Sequence, residues 1–201
     1  MRKCMLVFLL LVCVVSAFAQ DAKAVEILQK ADDKISAYGT VDVDFGLHTD
    51  QYDYDCNIVF KEDRFKLDYG ESHIWYDGKT MWSYNRAVGE VNVTEPDYAE
   101  ICLLNPYTFL KNWKTDFSCE YKGMSGGCYE IRLMPEKDYP MKEASIYIRS
   151  TDGMPERIVI TDPSGNELSI TAGKYSEADV ADSFFVFPAD EYAGVEVVDL
   201  R

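Results

Sequence analysis

From Val41 onward the apolar residues of this 201-residue chain fall on alternate positions, and that period admits few folds. Val41, Val43, Phe45 and Leu47 alternate with Asp42, Asp44, Gly46 and His48. After a turn at Thr49–Gln51, Tyr52, Tyr54, Cys56, Ile58 and Phe60 alternate with Asp53, Asp55 and Asn57. Lys61-Glu62-Asp63 turns the chain again, and Phe65, Leu67 and Tyr69 alternate with Lys66 and Asp68. Successive side chains of a strand point to opposite faces, so strict alternation means one buried and one solvated face, the pattern of antiparallel sheet. Asp42, Asp44, Asp53 and Asp55 then belong to the solvated face rather than to a metal cluster.

The same period recurs to the end of the chain. Asp77-Gly78 closes a hairpin between His73–Tyr76 and Thr80–Asn85. Glu90–Val93, Thr115–Lys122, Cys128–Met134, Ala144–Ser150, Glu156–Thr161 and Glu167–Tyr175 follow as strands, separated by turns such as Asp152-Gly153 and Asp162-Pro163-Ser164-Gly165-Asn166. One helix precedes them: Ala24, Ile27, Leu28, Ala31 and Ile35 recur at three- and four-residue steps over Ala22–Tyr38, and Gly39 ends it. The fold expected is mainly β (α+β), a single large antiparallel sheet of about ten or eleven strands curled into a barrel or half-barrel. No Pro/Ser-rich linker divides it, so residues 20–201 are expected to form one domain.

Tyr98 to Trp113 breaks the pattern, being apolar without alternation and carrying Pro106 in its middle. Two short helical pieces broken before Pro106 fit it, because proline disfavours helix at the residue ahead of it. A sheet curled around such a segment has an apolar interior under a cover. Periodicity alone leaves two readings open, a ligand cavity and an ordinary core.

The first residues read as an export signal. Arg2 and Lys3 precede an apolar run from Met5 to Val15, and Ala17-Phe18-Ala19 offers small residues at a cleavage site before Gln20. The run is too short for a bilayer, which takes about 20 apolar residues. Val12 stands where a lipoprotein signal needs a small residue before Cys13, so residues 1–19 are expected to be cleaved and the product to be a soluble, exported protein. Losing Arg2 and Lys3 moves the net charge from −15 to −17. Such a surface lacks the clustered cations that nucleic-acid phosphates require. Four cysteines remain, Cys56, Cys102, Cys119 and Cys128, with three possible full pairings. Alternation places Cys119 with Phe117 and Tyr121, and Cys128 opposite Tyr129, Ile131 and Leu133, which argues against a Cys119–Cys128 bridge unless a bulge reverses the phase.

No catalytic constellation emerges. His48 and His73 sit apart from any nucleophile turn, and almost all the carboxylates lie on polar phases or in turns, where nothing desolvates them. Gly-rich phosphate loops and closely spaced cysteine pairs are missing from the sequence, and Asp162–Glu167 resembles a calcium loop only in part. The chain is expected to be no enzyme and to use no cofactor or metal.

Three stretches carry a family resemblance. Asp77-Gly78-Lys79-Thr80-Met81-Trp82-Ser83-Tyr84-Asn85, after Ile74-Trp75-Tyr76, resembles the central hairpin of LolA-type outer-membrane lipoprotein carriers. Asp182-Ser183-Phe184-Phe185-Val186-Phe187-Pro188 and Gly194-Val195-Glu196-Val197-Val198-Asp199 are similar to that family's ending, and the helix before the first strand agrees in position. The resemblance implies a single large curved antiparallel sheet forming an unclosed half-barrel of about eleven strands, with the N-terminal helix and a short helical cover over its concave face. It also implies a periplasmic carrier that performs no chemistry and shields lipoprotein acyl chains between an inner-membrane lipoprotein-releasing transporter and an outer-membrane acceptor. It implies a monomer. Related readings are an outer-membrane lipoprotein receptor and a lipid-binding sensor or regulatory module of the same fold. By phase, Val43, Phe45, Leu47, Tyr54, Ile58, Phe60, Phe65, Leu67, Trp82 and Tyr84 are expected to line the concave face, with Ile101, Leu104, Phe109 and Leu110 from the cover. The phase of Trp75 against Ile74 and Tyr76 stays open. One departure stands out: where the family has an arginine that latches the cover, in the turn after the second strand, this chain has Glu62 between Lys61 and Arg64.

Overall fold

The computed structural model describes residues 21–105 and 107–201, with the side chains of Leu103 and Phe109 outside the described set. The expected signal, residues 1–19, also lies outside it. Helix α1 (Ala22–Ser36) starts at Asp21, whose carboxylate accepts the N–H groups of Lys23 at 2.8 Å and Ala24 at 3.3 Å. Those bonds satisfy donors that a helix start leaves free. The expected stripe of Ala24, Ile27, Leu28, Ala31 and Ile35 is buried, and Gly39 turns the chain out of the helix at φ 72°.

Twelve strands make one sheet among the described residues. They are β1 (Val41–His48), β2 (Asp53–Lys61), β3 (Arg64–Tyr69), β4 (Ser72–Tyr76), β5 (Met81–Asn85), β6 (Glu90–Thr94), β7 (Phe117–Ser125), β8 (Cys128–Pro135), β9 (Glu143–Arg149), β10 (Pro155–Thr161), β11 (Glu167–Glu177) and β12 (Glu196–Asp199). Their order, β12-β6-β5-β4-β3-β2-β1-β11-β10-β9-β8-β7, leaves β12 and β7 as the two edges, so the sheet curls without closing. Every neighbouring pair is antiparallel except β12, which runs parallel to β6. The count expected from alternation stops at eleven because β12 has no buried face to betray it: Val197 is 54% exposed.

The cover is two helices, α2 (Tyr98–Leu104) and α3 (Tyr107–Asp116), broken where the proline falls. Helix α3 runs through Thr115, which alternation assigns to the next strand, and β7 begins only at Phe117. The buried Asp116 carboxylate is the reason, since it accepts the Tyr139 hydroxyl at 2.6 Å and pairs with Lys137. In the β7–β8 ladder Cys119 faces Leu133 and Cys128 faces Ser125, at opposite ends of the hairpin. All four described cysteines are free thiols.

The main core fills the concave side, with α1, α2 and α3 packed onto alternate residues of the sheet. A second apolar layer lies on the convex side. Here Trp75 meets the rings of Phe187 and Tyr192 at 5.4 and 5.6 Å, and Tyr84 meets Tyr192 at 4.8 Å. The C-terminal segment holding the 3-10 turns Asp182–Phe185 and Ala189–Tyr192 therefore roofs the outer face of β3–β5.

That layer corrects the expected placement of Trp82 and Tyr84. The register Tyr76↔Met81, Trp75↔Trp82 and His73↔Tyr84 puts both with Trp75 on the convex face. Ile74, Tyr76 and Met81 face inward and join the main core. In β4 both Trp75 and its neighbours Ile74 and Tyr76 are apolar, so alternation carries no phase. In β5 Trp82 and Tyr84 alternate with Ser83 and Asn85, but the face they share is the one the C-terminal segment covers, and only pairing shows this.

Candidate functional site

Among the described residues, cavities open at both ends of the concave face. The larger, about 780 Å³, lies where β1 begins and β2 ends, beneath α2 and α3 and beside the end of α1. Its apolar wall comes from Ile35, Val41, Phe60, Tyr76, Ile101 and Leu110. Asp32, Lys61, Glu62, Asp63 and Lys111 form a charged collar. The smaller, about 250 Å³, lies at the other end of the same strands, among Phe45, Leu47, Cys56, Leu67, Tyr69, Leu104 and Ile170. The larger volume falls within the few hundred to about 1,000 Å³ of small-molecule sites.

The structure divides the expected set. Phe60, Ile101 and Leu110 line the larger cavity; Phe45, Leu47, Leu67 and Leu104 line the smaller. Val43, Ile58 and Phe65 are buried in the main core between and around them. Tyr54 lies on the concave face at the rim, 40% exposed and stacked on Tyr52 at 6.0 Å. Trp82 and Tyr84 are not part of the set, and the Phe109 side chain lies outside the described residues.

Alternation missed Ile35, Tyr76, Tyr107 and Ile170. Ile35 ends the apolar stripe of α1, and Ile170 pairs with Leu47 across β1 and β11, so each belonged to a recognised pattern. Tyr76 required the β4–β5 register.

Tyr107 anchors the first turn of α3. Its ring stacks on Phe60 with centroids 4.9 Å apart, and its hydroxyl lies 2.8 Å from that of Tyr175 on β11. Tyr175 donates its one proton to the Pro155 carbonyl at 3.0 Å, so Tyr107 is the donor between the two phenols. Burial holds both phenols above their ordinary range. The cover is thus fastened to β11 and β10 from inside.

A second fastening lies at the collar. The β2–β3 turn, where Glu62 sits at φ 56°, presents Asp63 to Lys111 of α3 as an ion pair. Lys61 and Arg64 of the same turn hold Asp182 at 3.2 and 2.9 Å, and these cations keep that carboxyl below its usual range. The turn therefore grips the cover with one residue and the C-terminal segment with two others. Burial raises the Asp32 carboxyl at the cavity edge and pushes the Cys56 thiol up to about 11.

Among the described residues no three His, Cys, Asp or Glu side chains converge as metal ligands, and no helix is long and apolar enough to cross a membrane. Asp162 spends its carboxylate on the N–H groups of Ser164 and Asn166, each at 2.8 Å, as a turn does.

An unclosed sheet wrapped around a covered apolar cavity makes this protein a half-barrel. The chain belongs to the family described as outer membrane lipoprotein carrier protein LolA, which matches residues 15–162. No curated protein matches it. Among solved structures it is similar to an uncharacterized conserved protein from Thermus thermophilus, with a TM-score of 0.60 at 12% identity over 88% of this chain and 99% of that one. It is also similar to MucB, with a TM-score of 0.50 at 13% identity over 89% of this chain and 66% of that one. A LolA superfamily protein from Nitrosomonas europaea aligns over 83% of this chain and 98% of that one, at 13% identity and a TM-score of 0.48.

Proposed function

We propose that this protein is a periplasmic carrier that takes up the acyl chains of lipoproteins on its concave face and ferries them from an inner-membrane releasing transporter to an outer-membrane acceptor. The observation that carries this reading is the apolar cavity of about 780 Å³ under a helical cover, in a member of a lipoprotein-carrier family. Each acyl CH₂ taken out of water is worth about 0.8 kcal/mol, so an anchor needs such shelter to cross an aqueous space. Export by the signal at residues 1–19 and action as a single domain of residues 20–201 are part of the proposal. The ligand contacts are assigned to Phe60, Ile101 and Leu110 in the larger cavity, and to Phe45, Leu47, Leu67 and Leu104 in the smaller.

The test is to purify the protein from the periplasm and identify what accompanies it by mass spectrometry. Acylated protein or free lipid is the expected result. Ligand-free protein together with normal lipoprotein localisation after depletion overturns the proposal. Phe60→Glu places a charge on the cavity wall and is expected to lower binding of an apolar fluorescent probe at least tenfold.

A further inference from the structure

The sheet has two open edges, and they are finished differently. At β7 the start of α1 occupies the edge: the Asp21 N–H donates to the Cys119 carbonyl at 3.3 Å, and the Asp21 carboxylate accepts the Tyr121 N–H at 3.2 Å. Just past that point the β7–β8 ladder shifts register between Tyr121 and Gly123, and Gly123 stands at φ 117°. Covering and bulging an edge are the means by which sheet proteins keep other chains from adding to it. The β12 edge has neither. Its register against β6 runs unbroken from Glu196↔Glu90 to Asp199↔Val93, and among the described residues no strand lies beyond it.

The backbone of β12 shows which groups this edge offers. The Leu200 N–H donates to the Val93 carbonyl of β6 at 2.9 Å. Successive residues of a strand turn their N–H and C=O to opposite sides, so Val198 shares the β6 side with Leu200, and Val197 and Asp199 turn theirs outward. The side chains here are apolar and acidic. Val197 is 54% exposed and Leu200 61%. From Glu177 to Arg201 the chain carries seven acidic side chains and one basic, and that one, Arg201, is already spent on Asp199 at 2.6 Å. Two copies pairing through β12 set like charges side by side, whereas a cationic strand meets them as counter-charges.

We propose that the outer edge of β12 is a docking site for an extended segment of a partner protein, one that alternates apolar residues with Lys or Arg and adds to the sheet as a further strand. Main-chain bonds to Val197 and Asp199 fix its register, as in other cases of strand addition. Val197 and Glu196 point to opposite faces, so the apolar face of the segment covers Val197 and its cationic face meets Glu196. The aliphatic stems of those cations lie over Leu200. None of these residues lines either cavity, so docking at β12 and binding on the concave face are separable.

The test uses the full mature protein and two fluorescein-labelled peptides, acetyl-Lys-Val-Lys-Val-Lys-Val-Lys-amide and its counterpart with Glu in place of Lys. Fluorescence anisotropy is expected to show the lysine peptide binding about tenfold tighter than the glutamate one. Hydrogen exchange is expected to slow at the Val197 and Asp199 amides when that peptide binds, whereas the Val198 and Leu200 amides are protected already in the free protein. Val197→Pro removes an outward N–H and no bond to β6, a position where an edge strand tolerates proline. It is expected to leave the melting temperature and apolar-probe binding unchanged and to weaken the lysine peptide about tenfold. Glu196→Lys keeps the edge but reverses its charge, and should bring the two peptides to within about threefold of each other. Equal binding of the two peptides to the wild type, unslowed Val197 and Asp199 amides, or full affinity in a folded Val197→Pro overturns the inference. So does a dimer in sedimentation that protects the same amides without peptide, since the occupant is then a second copy. If Val197→Pro does not fold, Glu196→Lys and the amide pattern decide. All of these outcomes leave the carrier reading standing.

Discussion

Replacing Tyr175 by Phe tests how the cover is held. Tyr175 is the middle of a buried relay, accepting from the Tyr107 hydroxyl at 2.8 Å and donating to the Pro155 carbonyl at 3.0 Å. Tyr175→Phe strands the Tyr107 hydroxyl, which is buried, and also removes one bond from Pro155. A stranded buried hydroxyl costs about 1–3 kcal/mol and a lost internal bond about 1, so the change should cost about 2–4 kcal/mol. Tyr107→Phe removes only the outer donor, leaves the Tyr175–Pro155 bond intact, and should cost about 1 kcal/mol. The double variant Tyr107→Phe/Tyr175→Phe strands no hydroxyl, so it should be more stable than Tyr175→Phe alone. Urea unfolding with unchanged m-values measures all three. Equal costs for the two single changes, or a double variant less stable than Tyr175→Phe, would refute this reading of the relay.

The collar pair gives a smaller effect of a different kind. Asp63→Lys sets like charges against Lys111, whereas Asp63→Lys/Lys111→Asp restores the attraction; both sites are exposed, so stability should move by under about 1 kcal/mol, while probe release should speed up in the first and recover in the second. Asp116 predicts a pH effect: burial opposes its charge, but Lys137 and the hydroxyls of Tyr139 and Thr115 outweigh that and hold its pKa below the ordinary 3.8. A lowered carboxyl contributes stability that is full above its unfolded pKa and lost as pH falls through the folded one, so the melting gap between wild type and Asp116→Asn should be constant down to about pH 4 and close below it. Thiol titration should find the four described cysteines slow in the folded protein, because burial raises every one of these thiols, and all reactive in denaturant, with Cys56 first because it lines a cavity.

The sheet was legible in the chain because alternation over Val41–Tyr69 is a direct consequence of pleating: Val41, Val43 and Phe45 are buried, and Asp44, Asp53 and Asp55 are exposed. The α1 stripe and the break between α2 and α3 were legible for the same local reason. Residues three and four apart share a helix face, and proline cannot extend a helix. Where both faces of a strand are apolar, as at Ile74-Trp75-Tyr76, that signal vanishes. Only the pairing Tyr76↔Met81 sent Trp82 and Tyr84 to the convex face.

Residue order alone thus specified element type and, for strands with one wet face, orientation, since both follow from the spacing of apolar and polar residues along the backbone. Packing in three dimensions settled what spacing cannot express. It brought Tyr107 to Tyr175, Asp63 to Lys111, and Lys61 and Arg64 to Asp182, pairs whose members lie 48 to 121 positions apart in the chain. It added β12, a strand with no buried face, by hydrogen bonding alone. It also left the packing beneath the cover incomplete at both ends of one apolar floor. An empty volume is a property of how elements meet in space, so no residue pattern along the chain announces it.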